Sequence, residues 1–183
     1  RGRFPSVRDV IQLTREGSLR ELKTESGVLR YHEAGDPDAP PLLMLHGSGP
    51  GVSAWRNYRG NLPFFAEHFH CLALEFPGFG VSDAVEGHPV LTAGASVIRF
   101  MDALDIPSAA MVGNSMGGVV GINLAIKYPE RVEKLVTIGG VGPNLFSSSP
   151  SEGIRLLQEF TDAPDRDKLL RWLNSMVYDR KII

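Results

Sequence analysis

The sequence has 183 residues, of which 43% are hydrophobic and 22% charged, and its formal net charge is −2. This composition predicts a soluble globular protein with enough apolar side chains for a core, and it excludes intrinsic disorder. No cluster of lysine and arginine offers the basic face that nucleic acid or an anionic membrane surface requires, so a small molecule is the expected partner.

The termini and the cysteine content suggest a cellular location. The one cysteine, Cys71, excludes an internal disulfide and fits a reducing cytoplasm as a small buried apolar residue. The opening "RGRFPSVRDV" has no signal-peptide core and no initiator methionine, and no apolar run reaches membrane-spanning length. We therefore expect a cytoplasmic protein and a chain that is part of a longer polypeptide.

The first two thirds of the chain alternate between predicted strands and helices. "SLRELKTE" and "VLRYHEAG" flank Ser26 and Gly27 with rough apolar–polar alternation and predict a leading β-hairpin. Apolar runs then follow in "PLLMLH", "HCLALEF", "AAMVG" and "KLVTIGG", separated by segments with helical character such as "SAWRNYRGNLPFFAEHF" and "AGASVIRFMDAL". This alternation predicts a mainly parallel sheet with helices on both faces.

The last third changes in character. The helix after Ser115 is predicted to stop at Tyr128, because Pro129 disfavours a helical conformation in the residue before it. After Gly140 two amphipathic stretches, "SEGIRLLQEFTD" and "DRDKLLRWLNSMVYD", predict further helices. We divide the chain into a core over residues 1–140 and a helical region over residues 141–183.

A serine inside a run of glycines marks a candidate nucleophile. "VGNSMGG" follows a predicted strand and precedes a predicted helix, so Ser115 would stand on a sharp strand-to-helix turn with its hydroxyl clear of the backbone. Side chains at Gly113 and Gly117 would collide with the neighbouring strand and helix, which explains the spacing. The alternative is a glycine–serine turn that merely begins a helix.

A second glycine-rich loop, "HGSGPG" at residues 46–51, follows the strand "PLLML", and we term it the oxyanion loop. In a serine acyl-transfer site such a loop donates one backbone N–H to the developing oxyanion, and the residue after the nucleophile donates the other. These donors would be Ser48 and Met116. A dinucleotide-binding turn is the rival interpretation, with Glu75 as the acidic residue, but the third glycine is missing and the serine turn is left unexplained.

A metal site is not expected. His68 and His70 would share one face of a strand, which superficially suggests a pair of ligands, but no third ligand is spaced to join them.

Four segments together resemble one family: "HGSGPGVSAWRNY", "EFPGFGVSD", "VGNSMGG" and "GPNLFSSSPSEGI". They are similar to the α/β-hydrolase-fold carbon–carbon bond hydrolases that open meta-cleavage products of aromatic or steroid rings. The likeness is more specific than that of a generic α/β-hydrolase, because the sequence also contains Asn114, Pro50-Gly51 and the Trp55-x-Asn57 pair. The resemblance implies an α/β-hydrolase core, a partial helical lid over residues 141–183, no cofactor, and a homo-oligomer when full length.

The resemblance also implies roles for individual residues. Ser115 would attack the ketone of a 2-hydroxy-6-oxo-hexa-2,4-dienoate after its dienol has ketonised, releasing 2-hydroxypenta-2,4-dienoate and a carboxylic acid. Asn57 and Asn114, with the backbone of Gly47 and Gly49, would contact the dienoate, because neutral amides bond its oxygens without repelling its charge. Apolar lid residues would line a pocket for an apolar ketone-side group, with Phe146 foremost; the others are Leu145, Leu156, Leu157, Trp172, Met176 and Val177. The alternative is that most of them simply pack the lid on the core.

The sequence departs from the family in its catalytic order. The family places an acid and then a histidine after the nucleophile, but all five histidines precede Ser115: His32, His46, His68, His70 and His88. The aspartates after it lie where helices need caps: Asp162, Asp165, Asp167 and Asp179. We expect the acid, the base, the lid arginine and the last strands to lie beyond Ile183, and the 183-residue chain to be inactive.

Two other functions stay open. A carboxylesterase on the same fold would share the serine turn, and a non-catalytic fragment or binding protein would fit the missing histidine. A haloalkane dehalogenase or epoxide hydrolase is disfavoured, because those enzymes carry an aspartate where Ser115 stands.

Overall fold

The structure is a computed structural model that describes residues 13–25, 27–49, 51–84, 86–87, 89–140 and 151–177. Its strands are β1 (Leu19–Thr24), β2 (Gly27–Ala34), β3 (Pro41–Leu45), β4 (His70–Glu75), β5 (Ala109–Asn114) and β6 (Val132–Ile138). Its α-helices are α1 (Arg15–Ser18), α2 (Ala54–Tyr58), α3 (Leu62–Phe65), α4 (Pro89–Ala103), α5 (Met116–Lys127), α6 (Glu152–Asp162) and α7 (Arg166–Met176). A 3₁₀ turn at Pro129–Arg131 leads into β6.

The strands form one mixed sheet in the order β1-β2-β4-β3-β5-β6. The predicted hairpin is confirmed, since β1 pairs antiparallel with β2 from Leu19 opposite His32 to Thr24 opposite Gly27. Strand β2 also runs antiparallel to β4, whereas β4, β3, β5 and β6 run parallel to one another. The predicted mainly parallel sheet is therefore confirmed, and the loops after β3 and β5 emerge side by side at one end.

Helices cover both faces of this sheet, and alternate residues of β3 show how. Leu43 and Leu45 belong to a core cluster with Val97 and Phe100 of α4 and Val120 of α5. Leu42 and Met44 point to the other face, where they join a cluster that contains Ala54 and Tyr58 of α2 and Leu62 of α3. The near-continuous apolar strands are thus buried on both sides, and each fully buried leucine stabilises the fold by about 1.5–3 kcal/mol.

Helix boundaries follow local sequence signals. Helix α5 ends at Lys127 with Tyr128 as its C-cap, as predicted from Pro129. The single helical segment expected after the oxyanion loop is instead two short helices, because Gly60 lies between them and Pro63 stands in the first turn of α3, which begins at Leu62. The placement of His68 on a strand was wrong: it lies in the turn before β4, whose first residue is His70.

The chain forms two compact units, Arg1–Val141 and Gly142–Ile183. In the second unit, Ser151 caps α6 by accepting from the Ile154 amide, and Asp165 caps α7 by accepting from the Lys168 amide at 2.8 Å. The rings of Phe160 and Trp172 stack with their centroids 6.2 Å apart and join the two helices. No helix in the described part of the chain combines the length and apolar character needed to cross a bilayer.

Candidate active site

Ser115 stands between β5 and α5 in a backbone conformation that few residues adopt. Its φ is 50° and its ψ is −114°, which is strained for a residue with a side chain. The turn is tied down on both sides: the Ser115 amide donates to the Ile138 carbonyl at 2.9 Å, and the Gly118 amide donates to the Ser115 carbonyl at 2.9 Å. The strain is therefore maintained by the sheet and the helix, as expected for a functional turn.

The glycines around this serine leave room that side chains would fill. A Cβ at Gly113 would overlap the backbone of Gly117, and a Cβ at Gly117 would overlap the carbonyl of Leu45 in β3. Both collisions involve backbone atoms, which cannot rotate away. The sharp turn thus requires glycine at these two positions.

The oxyanion loop lies directly against the serine turn. A Cβ built on Gly47 would lie 3.3 Å from the Cβ of Ser115 and 3.5 Å from the carbonyl oxygen of Asn114. Gly49 takes a φ of +128°, and Pro50 is outside the described residues. Among the hydrogen bonds between described residues outside helices and strands, none has the Ser48 or the Met116 amide as its donor.

The side chains of Asn57 and Asn114 meet beside this loop. Asn57 Oδ1 accepts from the Asn114 Nδ2 amide at 2.8 Å and from the Gly47 backbone amide at 3.2 Å. In the part of the chain that the structure describes, no hydrogen bond uses Asn57 Nδ2 or the second N–H of Asn114, so both can donate to another acceptor. Four predicted site residues, Ser115, Gly47, Asn57 and Asn114, are therefore brought together although they come from three separate segments.

Sequence reasoning missed two buried residues that hold these segments. The Tyr58 hydroxyl, 3% exposed as a residue, lies 2.7 Å from the Leu45 carbonyl and 3.2 Å from the Val112 carbonyl, at the ends of β3 and β5. Glu75 accepts from the amides of Ala54 and Trp55 at the start of α2. Glu75 therefore binds protein amides, and the dinucleotide interpretation loses its ribose ligand.

The described histidines of the first unit contact groups other than Ser115. His46 Nδ1 donates to the Gly47 carbonyl at 2.6 Å, and its Nε2 accepts from the Phe76 amide at 3.0 Å. Burial lowers the pKa of His46 against the smaller raising effects of that carbonyl and Glu75, so the ring is neutral at pH 7. Within the described ranges, no histidine hydrogen-bonds to Ser115.

The two histidines considered as metal ligands, and the cysteine, make local contacts or lie buried. His70 Nε2 lies 2.8 Å from Glu33 Oε1, and the ring of His68 meets Phe64 edge-on. No group of three or more candidate metal ligands occurs among the described residues. Burial raises the pKa of Cys71 to about 12, so its thiol stays protonated.

The predicted lid residues are only partly described. Leu145 and Phe146 lie outside the described residues, as does Asp179. In the second unit Leu156 is buried at 8% exposure, whereas Met176 is 65% exposed. Leu156 and Val177 both line a depression of about 500 Å³ on that unit.

Comparison with known proteins places this geometry in context. A family model described as the alpha/beta hydrolase fold matches residues 40–175. A 2-hydroxy-6-oxononadienedioate/2-hydroxy-6-oxononatrienedioate hydrolase of Comamonas testosteroni is 39% identical over 160 residues, 85% of this chain and 55% of that protein. A 2-hydroxy-6-oxo-6-phenylhexa-2,4-dienoate hydrolase of Burkholderia cepacia is also 39% identical, with the same coverage.

Solved structures of similar hydrolases also superimpose on this chain. The 2-hydroxy-6-oxo-6-phenylhexa-2,4-dienoate hydrolase of Rhodococcus sp. strain RHA1 superimposes with a TM-score of 0.74 at 30% identity, over 88% of this chain and 59% of that one. A serine hydrolase of Cycloclasticus zankles, a bacterium that degrades polyaromatic hydrocarbons, gives a TM-score of 0.75 at 34% identity, over 90% of this chain and 59% of that one. The chain spans little more than half the length of the curated relatives it matches.

Proposed function

Because the chain belongs to the α/β-hydrolase fold family, we propose that the protein is a serine hydrolase that cleaves a carbon–carbon bond of 2-hydroxy-6-oxo-hexa-2,4-dienoate compounds. One observation carries the proposal: the strained Ser115, the Gly47 turn that touches it and the Asn57–Asn114 amide pair lie together. The relatives support the substrate class, since two of them are hydrolases of 2-hydroxy-6-oxo compounds.

The first chemical step is ketonisation of the dienol. The proton leaves the hydroxyl on C2 and a proton is added at C5, so that C2 becomes a ketone and the remaining double bond joins C3 and C4. Asn57 and Asn114 are the proposed contacts for the dienoate oxygens. Their leftover N–H groups donate to a developing negative charge on the C2 oxygen without placing another charge beside the substrate carboxylate.

The second step is attack by Ser115 on the C6 ketone. The hydroxyl loses its proton, the new C–O bond forms, and the negative charge moves to the C6 oxygen. The Ser48 and Met116 amides donate hydrogen bonds to this oxyanion. Collapse of this adduct breaks the C5–C6 bond, and its electron pair passes through the C3–C4 double bond to the C2 oxygen. Protonation there releases 2-hydroxypenta-2,4-dienoate, and water then hydrolyses the acyl-serine to a carboxylic acid.

No histidine in the described ranges hydrogen-bonds to Ser115, so we assign the base for these proton transfers to none of them. All five histidines precede Ser115 in the sequence, and the family order requires one after it. Activity is therefore to be measured on the protein as its gene encodes it. We further propose an apolar ketone-side substituent held by lid residues including Phe146, a cytoplasmic location and a homo-oligomer.

The test compares two substrates on one protein. Purified protein is mixed with 2-hydroxy-6-oxo-dienoates that carry phenyl, alkyl or carboxyalkyl groups on C6, and loss of the yellow dienolate absorbance is followed beside nitrophenol release from a simple ester. We expect dienoate cleavage that Ser115→Ala abolishes. Ready ester hydrolysis with no bleaching of any dienoate would establish the carboxylesterase alternative.

A further inference from the structure

Glu75 is a carboxylate buried at the end of β4. The residue is only 1% exposed, and its oxygens accept from the backbone amides of Ala54 at 2.8 Å and Trp55 at 3.3 Å. The next amide of α2, that of Arg56, is bonded by the Ser53 hydroxyl at 3.1 Å. Glu75 and Ser53 together therefore satisfy the first three amides of a helix that is five residues long.

The surroundings of Glu75 are shaped to hold an ionised carboxylate. His32 Nε2 lies 3.5 Å from one carboxylate oxygen. His46 Nε2 lies 3.9 Å from the other but accepts from the Phe76 amide, so it donates nothing to Glu75. A Cβ at Gly80 would overlap the carboxylate, so the turn after β4 leaves space for it. Burial alone would raise the pKa of Glu75, but the His32 contact and the Ala54 amide, with smaller effects of His46 and Trp55, together lower it.

Helix α2 links Glu75 to the candidate site, because Glu75 bonds its first residues and Asn57 lies in the same helix. A single turn of helix is too short to hold its own conformation, so its position depends on tertiary contacts. Asn57 follows Trp55 by two residues, and its Oδ1 bonds both the Gly47 amide and the Asn114 side chain. A shift at the start of α2 would therefore move Asn57 and with it the first residues of the oxyanion loop.

We propose that Glu75 is a positioning residue: it fixes the start of α2 and so holds Asn57 against Gly47 and Asn114. The effect of this positioning on turnover rests on the function proposed above, whereas the positioning itself does not. The two parts are therefore tested separately, with Glu75→Gln as the main variant. Glu33→Gln is the matched control, because Glu33 likewise lies beside a histidine, His70, but among the described residues it makes no hydrogen bond to α2.

The first measurement needs no substrate. Amide hydrogen exchange is followed by NMR in ¹⁵N-labelled protein. In Glu75→Gln we expect exchange at Ala54, Trp55 and Gly47 to accelerate by about tenfold or more relative to Glu33→Gln, while amides of α5 keep their wild-type rates. Unchanged exchange at these three amides overturns the proposal. If Glu75→Gln does not fold, Glu75→Asp, which keeps the charge but shortens the reach, is measured in the same way and judged by the same criterion.

The second measurement is kinetic and uses the protein as its gene encodes it. Turnover is expressed per serine titrated by a fluorophosphonate, so that unfolded molecules are not counted. We expect Glu75→Gln to lower kcat on the dienoate by about ten- to a hundredfold with KM within about threefold of wild type. A merely structural residue would reduce the number of titratable serines but leave kcat per site at the Glu33→Gln value, and that result overturns the proposal.

A double variant tests whether Glu75 acts through Asn57. If it does, Glu75→Gln combined with Asn57→Ala is no slower than Asn57→Ala alone, whereas independent effects multiply. Multiplied losses overturn the proposed route. If even the wild type cleaves no dienoate, the proposed function has failed, and Glu75 is then judged by amide exchange and by the same double-variant comparison on a nitrophenyl ester.

Discussion

At the scale of single residues, the site depends on backbone groups held at fixed positions by a few side chains. Ser115 adopts its strained φ because the Ile138 carbonyl and the helix that follows hold it there. Asn57 uses its one carbonyl oxygen for two donors, so it orders both the Gly47 amide and the Asn114 side chain. Small changes at these residues should therefore alter chemistry more than stability.

Replacing Asn114 with alanine tests the role of the amide pair. We expect Asn114→Ala to lower dienoate cleavage by at least about tenfold, equivalent to about 1.4 kcal/mol, because a donor to the developing dienolate is lost. A nitrophenyl ester, whose alkoxide leaving group needs only protonation, should be affected much less. Both rates are measured on the same preparation, and equal losses on the two substrates would contradict the assignment.

Ser48 offers a test of the oxyanion loop through its backbone. Ser48→Pro removes the predicted oxyanion donor, and we expect kcat to fall because about 2–4 kcal/mol of transition-state stabilisation is lost. Ser48→Gly keeps the N–H and serves as the control, with a mild effect. Equal damage from both variants would show that the side chain or the stiffness of the loop matters more than the amide.

At the scale of elements, the turn from β5 into α5 works because its helix packs on β3 at backbone distance. A Cβ at Gly117 would overlap the Leu45 carbonyl, so α5 begins where only glycine fits. Helix α2 is the complementary element: Glu75 holds its start, and Tyr58 at its end lies against the Leu45 carbonyl of β3. Two elements on opposite faces of the sheet thus meet the same strand end.

Two glycine-to-alanine substitutions distinguish the effect of close packing on stability from the effect of helix propensity. Gly117→Ala should destabilise the fold by about 1–3 kcal/mol, because overpacking against backbone atoms forces the helix to shift. Gly94→Ala, in the middle of α4 with no atom within 4 Å of the new methyl group, should stabilise it by about 0.5–1 kcal/mol. Urea unfolding monitored by circular dichroism gives both values; a loss at both positions would show that the space around Gly94 is not open.

At the scale of the whole molecule, buried polar groups connect separate segments at the strand ends of the first unit. His46 joins the oxyanion loop to the residue after β4, since its ring donates to Gly47 and accepts from Phe76. Glu75 joins that same strand to α2. These groups titrate, so the stability of the unit should depend on pH.

We expect acid to destabilise the fold in two stages. The pKa of His46 is lowered by burial from its ordinary value of 6.5, so the unfolded chain binds the proton first and stability falls as the pH drops below 6.5. The pKa of Glu75 is also below its ordinary value of 4.5: burial opposes the shift, but the His32 and Ala54 contacts outweigh it. Its contribution is present above pH 4.5 and is lost as the pH falls through its folded value.

The measurement is the free energy of unfolding in urea at intervals from pH 7 to pH 4. His46→Gln, which retains a group able to accept from the Phe76 amide, should remove the loss between pH 6.5 and 5 and keep the loss below 4.5. An unfolding free energy that is flat from pH 7 to 5 in the wild type would contradict the assignment to His46.

The sequence by itself determined the features that depend on short-range pattern. Alternation predicted the β1–β2 hairpin, and apolar runs predicted the parallel strands. Pro129 predicted that the helix after Ser115 stops at Tyr128, which is the C-cap of α5. The spacing of Gly113, Ser115 and Gly117 likewise predicted a sharp turn, because the demands of that turn are local. Two features were predicted wrongly: the placement of His68 on a strand and the single helix where α2 and α3 are separate. The ends of such short elements depend on packing as well as on propensity.

Only the tertiary structure decided which buried polar groups meet. Asn57 bonds Asn114, which lies 57 positions along the chain, and Glu75 bonds the amide of Ala54, which is 21 positions away. The strand order β4-β3-β5 brings these segments side by side, and no local periodicity encodes that order. A buried carboxylate must find donors when the chain folds, but only the assembled sheet determines that those donors belong to the helix that carries Asn57.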